Sequence, residues 1–210
     1  PLSASIVGEL ICAGLNNNLL AEELSPSLTS LERNLCKWFC QKIGLGDLSG
    51  GVAASGGSLS NLMALVMARN IAGLENDPSA VFFASDDCHV SFLKSLRIMG
   101  LKQESLKKVP TDEKGKLDVS YLSSNLKKIK SQGKKCFAVV ATAGTTVRGA
   151  IDPISEIAQL CKKEKVWLHV DGAIGGIYGL STNTSEIIQG LGSADSLTIN
   201  PQKLLGIAKT

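Results

Sequence analysis

The sequence is poor in aromatic residues and histidine, and it carries little net charge. Its two histidines leave few of the nitrogen ligands that zinc and other transition metals prefer. The 22 lysines and arginines are nearly balanced by 19 acidic residues, which leaves a formal charge of +3. A charge this small and this evenly spread argues against a nucleic-acid or membrane partner.

Paired cysteines and long apolar runs are lacking as well. The six cysteines are scattered among apolar neighbours and form no CxxC pair, so we expect no metal site. No segment approaches the roughly 18 consecutive apolar residues of a membrane helix. The apolar stretch 2–15 is interrupted by Glu9 and has no basic leader. We therefore expect a cytoplasmic protein.

The remaining composition is typical of a globular chain. With 44% hydrophobic residues, 210 residues are enough to bury a core without disulfide bonds. The chain begins with Pro1 and stops at Thr210 without a closing signal, so we expect it to be truncated at both ends. No repeat, linker or low-complexity tract divides it. We predict a single domain over 1–210, with leading helices in 1–45 and an α/β core in 46–210.

Short apolar runs alternate with helical patterns along the chain. A helix is predicted from Ser25–Pro26 to Gly44, with a buried apolar stripe formed by Leu28, Leu31, Leu35, Trp38 and Phe39. The predicted strands are 80–84, 136–141, 166–170 and 196–199, and the other predicted helices are 58–72, 90–99, 119–130, 153–163 and 185–189. This alternation predicts an α/β fold, with a mostly parallel sheet flanked by helices.

Polar side chains collect where the predicted strands end. They are His89, Thr142, Thr145, Thr146, Asp171 and Lys203. Ligands of an open parallel sheet bind beyond the carboxyl ends of its strands, where loops and helix amino-termini point inward. Each residue taken alone also has a purely structural interpretation: His89 in a core, the threonines in turns, and Asp171 as a cap on nearby amides.

Lys203 has apolar neighbours in the sequence. A lysine beyond a strand is usually solvated, but Leu204, Leu205, Gly206 and Ile207 predict surroundings that shield this amine from water. Shielding would leave the amine nucleophilic.

A glycine-rich segment precedes the predicted helix 58–72. In Ala54-Ser55-Gly56-Gly57-Ser58, the glycines let a ligand approach the backbone, and the helix dipole favours phosphate. A simple turn is the alternative. Segment 51–56 nearly matches a dinucleotide fingerprint (GxAxxG) and begins like a P-loop, but no apolar strand precedes it, and Gly57 stands where a P-loop has Lys. Both a dinucleotide-binding site and a P-loop are therefore disfavoured.

Together these segments resemble the pyridoxal-phosphate-dependent group II amino acid decarboxylases, the family of glutamate, aromatic amino acid and diaminobutyrate decarboxylases. The resemblance covers nearly the whole chain in ordered blocks, which makes it far more specific than any one motif. The blocks are Ser25-Pro26 with Thr29 and Glu32 before Trp38, SGGSLSN (55–61), His89 with Ser91 and Lys94, ATAGTT (141–146), GAIDP (149–153), WLHVDGA (167–173) and ADSLTINPQK (194–203).

The resemblance implies a fold, a cofactor and a set of site residues. The fold would be the large domain of the aspartate-aminotransferase-like, fold type I enzymes. Lys203 would form the Schiff base with the aldehyde of pyridoxal 5'-phosphate, and Asp171 would pair with its pyridine nitrogen. The remaining implied positions are His89 and Ala173 against the two ring faces, Gly57, Ser58 and Ser196 at the phosphate, Thr146 and Asp152 as supporting residues, and Gln202 beside the lysine.

Two residues depart from the family pattern. Gln202 stands where the family usually has His before the lysine, and Gly172 replaces the commoner Ala after the aspartate. The Gln202 amide can donate a hydrogen bond to phosphate or substrate but cannot carry a proton as imidazole does. We therefore expect the change to affect the rate more than cofactor binding. Family members also continue beyond the lysine, with a mobile loop that carries a catalytic tyrosine.

The implied activity is decarboxylation of an L-amino acid to a primary amine and carbon dioxide, with a homodimer as the complete protein. The sequence does not name the amino acid, because the family's side-chain pocket involves further segments and a second subunit. Two alternatives remain open. One is another fold type I enzyme, such as a lyase, desulfurase or aminotransferase, and the other is an inactive cofactor-binding fragment.

Overall fold

The computed structural model describes residues 1–208, and its centre is one sheet of five parallel strands. The spatial order is β2-β1-β3-β4-β5, with all neighbouring pairs parallel. The strands are β1 Ala80–Ser85, β2 Leu106–Val109, β3 Lys135–Thr142, β4 Trp167–Gly172 and β5 Ser196–Ile199. The predicted parallel α/β fold is confirmed.

Seven α-helices are found within the described residues. They are α1 Ser3–Leu15, α2 Pro26–Ile43, α3 Gly57–Ile71, α4 Ser91–Ile98, α5 Val119–Ser131, α6 Ile154–Glu164 and α7 Pro201–Leu204. Short 3₁₀ turns occupy Glu22–Leu24, Gln103–Ser105, Gly175–Leu180, Ser185–Ile188 and Leu191–Ser193. The prediction of a helix at 185–189 is wrong, because this segment forms one short 3₁₀ turn.

Helices cover both faces of the sheet, because alternate strand residues point to opposite sides. On one face Val81, Phe83 and Val139 pack in a core with residues of α5 and α6, among them Leu122 and Ile157. On the other face, a second core joins strand residues to α3 and α4 through Phe82, Val140, Leu65, Phe92 and Leu96. The sheet is thus held rigidly between two apolar layers, and its strand ends keep fixed positions.

The predicted buried stripe on α2 is wrong for this chain. Leu31 is 61% exposed, Leu35 51% and Trp38 43%. The helix itself begins and ends where predicted, but within residues 1–208 little packs against this apolar face. Helix α1 has no buried residue at all. No described helix is both long and apolar enough to cross a membrane.

The strand register brings the polar ends of three strands side by side. Thr142 at the end of β3 pairs with Asp171 in β4, which in turn pairs with Thr198 in β5. Because parallel strands all end at the same edge, the loops that follow them converge there. This edge is where a ligand site is expected.

Candidate functional site

A cavity of about 370 Å³ opens at the carboxyl edge of the sheet. Its size lies in the range of about 300–1,000 Å³ that is usual for small-molecule sites. Most of the predicted site residues line it, namely Gly57, Ser58, His89, Thr146, Asp171, Ala173, Gln202 and Lys203. The lysine and the aspartate on which the sequence argument depends thus face one shared space.

Two predicted site residues are not brought to this cavity. Ser196 lies at the start of β5, where its Oγ accepts a hydrogen bond from Trp167 Nε1 at 2.8 Å and lies 2.9 Å from His169 Nδ1. The buried Asp152 instead joins two backbone segments. Its Oδ1 accepts from the Leu117 amide at 2.8 Å and its Oδ2 from the Thr142 amide at 2.7 Å. The roles that the resemblance implies, Ser196 at the phosphate and Asp152 as a supporting residue, stay predictions, because neither residue lines the cavity.

The glycine-rich segment forms the start of α3 on one wall of the cavity. Gly56 precedes the helix with a φ of +134°, a conformation that favours glycine. Backbone hydrogen bonding begins at the Leu59 amide, so the Gly57 and Ser58 amides have no partner within residues 1–208. No acidic residue lies in the first turn to offset the helix dipole. This end of α3 is therefore suited to an anion.

Asp171 lies at the end of β4 and is buried, with 4% of its surface exposed. Its Oδ1 accepts from the Ala173 amide at 3.1 Å, and its Oδ2 accepts from Asn61 Nδ2 at 2.9 Å. Each carboxylate oxygen has two lone pairs, so the carboxylate can accept further bonds from the cavity side. It is a fixed acceptor for a cationic N–H group.

His89 is held by a neighbour on α4. Its Nδ1 lies 2.9 Å from Ser91 Oγ and accepts from the Ser91 backbone amide at 3.2 Å. A nitrogen that accepts from a backbone N–H carries no proton, so Nε2 is the protonated ring nitrogen of the neutral histidine. The ring therefore has a defined tautomer where it lines the cavity.

Lys203 lies in the short helix α7, and its side chain is exposed. The predicted apolar shielding is wrong, because Leu204 and Ile207 are themselves 45% and 42% exposed. Within the described chain little packs over this turn, so the neighbours in sequence do not enclose the amine. The amine still lines the cavity that Asp171 lines.

Five polar residues that line the cavity are not among the predicted site residues, namely Ser55, Asn61, Thr142, Thr145 and Asn200. Asn61 lies in α3, while Thr142 and Asn200 follow the same strand-end rule that identified Asp171. The sequence places Thr142 at a strand end without indicating a role for it. Its Oγ1 is buried and has no hydrogen-bond partner in the described part of the chain. An unpartnered buried hydroxyl costs free energy unless a ligand or water meets it.

These groups fit pyridoxal 5'-phosphate. The free amides at the start of α3 suit its phosphate, the Asp171 carboxylate suits its pyridine nitrogen, and the Lys203 amine suits its aldehyde. A Cβ placed on Gly57 would lie 3.5 Å from the Ala173 Cβ and 3.7 Å from Asn200 Nδ2, so this turn lies directly against the ends of β4 and β5. The anion site and the carboxylate thus belong to one site rather than two.

Asp152 is expected to give the protein a pH-dependent stability. Burial raises the pKa of this carboxyl to about 6. The two backbone amides that donate hydrogen bonds to it act in the opposite direction and lower the pKa. Because the unfolded carboxyl titrates near 3.8, the folded state binds more protons between pH 4 and pH 6. The free energy of unfolding should therefore fall as pH rises through this window, by about 3 kcal/mol at about 1.36 kcal/mol per pKa unit.

Urea denaturation at several pH values measures this effect, with the Asp152→Asn variant as the comparison. The variant loses one acceptor and is expected to be less stable, but without this contribution to the pH dependence. If the free energy of unfolding changed equally with pH in both proteins between pH 4 and pH 6, the pH dependence would belong to other groups.

Comparisons with known proteins agree with this geometry. Residues 2–209 match the family model described as the pyridoxal-dependent decarboxylase conserved domain. An aromatic-L-amino-acid decarboxylase from Bacillus atrophaeus is 38% identical over 95% of the chain, and a cysteine sulfinic acid decarboxylase from Rattus norvegicus is 35% identical over 96%. A crystal structure of mouse CSAD superposes with a TM-score of 0.94 over 100% of the chain, at 31% identity.

The chain is shorter than these relatives. It spans 42% of the length of the Bacillus and rat enzymes and 45% of the mouse chain. Within that span, the match runs through every strand of the sheet and both walls of the cavity. The chain belongs to the pyridoxal-dependent decarboxylase family.

Proposed function

We propose that the protein containing this chain removes the α-carboxyl group of an L-amino acid, releasing carbon dioxide and a primary amine. The observation that carries the proposal is the shared cavity. An amine at Lys203, a carboxylate at Asp171 and the free amides of Gly57 and Ser58 line one space. Pyridoxal phosphate bound in this space supplies an electron sink for cleavage of the bond to the carboxyl group.

Each residue then has a task that its position supports. Lys203, whose amine lines the cavity, would hold the cofactor through its Nζ. Asp171, held by the Asn61 amide and the Ala173 amide, would accept a hydrogen bond from the ring nitrogen. His89 and Ala173 supply a flat ring and a small methyl group in the cavity wall. The amides at the start of α3 would bind the phosphate, which would restrict the orientation of the ring.

Gln202 and Asn200 complete the wall next to Lys203. Both side chains carry an amide that donates and accepts hydrogen bonds at neutral pH without changing charge. We propose that they bind phosphate or substrate oxygens. A proton needed at this side of the cavity has to come from another group, because neither amide titrates.

Product analysis tests the proposed reaction. The protein is loaded with pyridoxal phosphate and given a panel of L-amino acids that includes aromatic, acidic and cysteine-sulfinate substrates. The expected products are carbon dioxide and the matching amine in equal amounts. Transfer of the amino group to a 2-oxo acid, or release of sulfur, without carbon dioxide would replace the proposal by one of its alternatives. A longer form of the chain is run in parallel, because relatives contain further segments.

We also propose that the complete protein is a homodimer and that the exposed apolar face of α2 is covered there. Leu31 and Leu35 lie on this face. A contiguous apolar face in water marks an interaction surface. Light scattering should give the mass of two chains, and Leu31→Glu with Leu35→Glu should shift it towards one. A wild-type mass of one chain would contradict the proposal.

A further inference from the structure

Asn61 joins the two cavity residues that would contact the cofactor ring. It lies in α3, with 1% of its surface exposed, and its amide nitrogen donates to Asp171 Oδ2 at 2.9 Å and to Ser91 Oγ at 3.0 Å. Ser91 Oγ in turn lies 2.9 Å from His89 Nδ1. One side-chain amide is thus connected to the carboxylate directly and to the imidazole through a single hydroxyl.

The orientation of this amide follows from its partners. The Asp171 carboxylate only accepts hydrogen bonds, so the group that faces it is the Asn61 nitrogen. The Asn61 oxygen then faces His169, whose Nε2 lies 3.1 Å away and has to donate to it. No other assignment satisfies both contacts.

His169 extends the network behind the site. The ring is fully buried, and burial lowers its pKa, so the imidazole is neutral at pH 7. With its proton on Nε2, the Nδ1 accepts from Ser196 Oγ at 2.9 Å. Ser196 itself accepts from Trp167 Nε1 at 2.8 Å.

All bonds in this chain of contacts therefore run in one direction. Trp167 donates to Ser196, Ser196 to His169, His169 to Asn61, and Asn61 to Asp171. Hydrogen bonds aligned in series polarise one another, and those that donate to a carboxylate stabilise its charged form. Ser196, for which the family resemblance implies a phosphate contact, is also a member of this network.

We propose that Asn61 is a positioning residue that holds the Asp171 carboxylate in a fixed orientation and, through Ser91 Oγ, supports the His89 tautomer that the Ser91 backbone amide selects, with His169 and Ser196 holding Asn61 itself. This inference rests on the proposed function, since it concerns the two residues assigned to the cofactor ring. The network nevertheless lies in protein residues alone. Part of it can therefore be measured without cofactor and without turnover.

The first test measures the tautomers of His89 and His169 in the cofactor-free protein by nitrogen NMR with labelled histidine. The neutral imidazole of each residue is expected to carry its proton on Nε2. A proton on Nδ1 of either ring would overturn the proposal, because the bond direction would then be broken. The measurement needs no variant, and it stands even if the protein is found not to decarboxylate amino acids.

The second test uses Asn61→Leu, which keeps a similar volume and removes the amide. In the cofactor-loaded protein we expect attachment at Lys203 to persist, kcat to fall about 10–100-fold with a smaller change in KM, and the pH dependence of cofactor absorption to shift. Ala64→Gly is the matched control, because Ala64 is buried in the same helix and has no part in the network. It should lower stability but leave absorption and kcat unchanged.

An Asn61→Leu protein with the wild-type absorption profile and kcat would overturn the proposal. Equal shifts in Asn61→Leu and Ala64→Gly would also overturn it, since the effect would then come from loss of helix stability. Failure of the wild-type protein to bind pyridoxal phosphate would contradict the proposed function, while the histidine tautomers would still decide the network.

Discussion

Replacing Lys203 with alanine is expected to reduce decarboxylation at least about 1,000-fold, because the covalent route for holding the cofactor and releasing it to substrate is lost. The visible absorption of the cofactor-loaded protein should change at the same time. Stopped assays of carbon dioxide release and a spectrum of the loaded variant measure the two effects. Lys203→Arg should behave like the alanine variant, since a guanidinium keeps the charge but does not act as an amine nucleophile.

Lys94→Ala is the control for this result. Lys94 is an exposed lysine of α4 that does not line the cavity, so its removal should leave both activity and spectrum unchanged. If Lys203→Ala retained most of the activity, the amine in the cavity would have no covalent task. The assignment of the site would then fail at its central residue.

Replacing Asp171 with asparagine is expected to lower kcat about 100-fold or more while the cofactor stays attached to Lys203. The side chain keeps its size, but the ring nitrogen loses an anionic partner and is no longer held protonated. The variant should also disturb its own surroundings, because one carboxylate oxygen that accepts a hydrogen bond becomes a donor. Activity assays and the absorption of the bound cofactor at several pH values separate attachment from catalysis.

Asp195→Asn provides a matched comparison. Asp195 is also tied to the backbone of β4, where its Oδ2 accepts from the Leu168 amide at 2.7 Å, but it does not line the cavity. We expect this variant to lose some stability and to keep its kcat. Normal catalysis by the Asp171→Asn variant would contradict the role given to the carboxylate.

The strands of the sheet differ in how well the sequence predicted them. β1, β3 and β4 are largely apolar runs and β5 is the alternating segment Ser196–Ile199, and the predicted bounds of all four lie within two residues of those in the structure. β2 was missed because Lys107 and Lys108 break its apolar pattern, as is common at the edge of a sheet. The burial of α2 was wrong for a different reason: helical spacing identifies an apolar face but does not say what covers it.

The site residues also divide into those that the sequence predicts and those that it does not. Asp171 and Lys203 follow strand ends, and a rule about parallel sheets places such residues together. Asn200 follows β5 and lies in the same cavity, so it obeys that rule as well. Asn61 could not be found in this way, because a polar residue in a helix gives no sign that its partner lies 110 residues away. The phosphate contact that the resemblance implies for Ser196 stays a prediction, while the Ser196 Oγ lies 2.9 Å from His169 Nδ1.

Reduction of the cofactor-loaded protein with borohydride, followed by peptide mass spectrometry, tests the central assignment most directly. Borohydride converts the linkage between lysine and cofactor into a stable bond, so the labelled residue can be identified. The expected result is a pyridoxyl label on Lys203 alone. A label on a different lysine, or no label in a protein that demonstrably binds pyridoxal phosphate, would contradict the account.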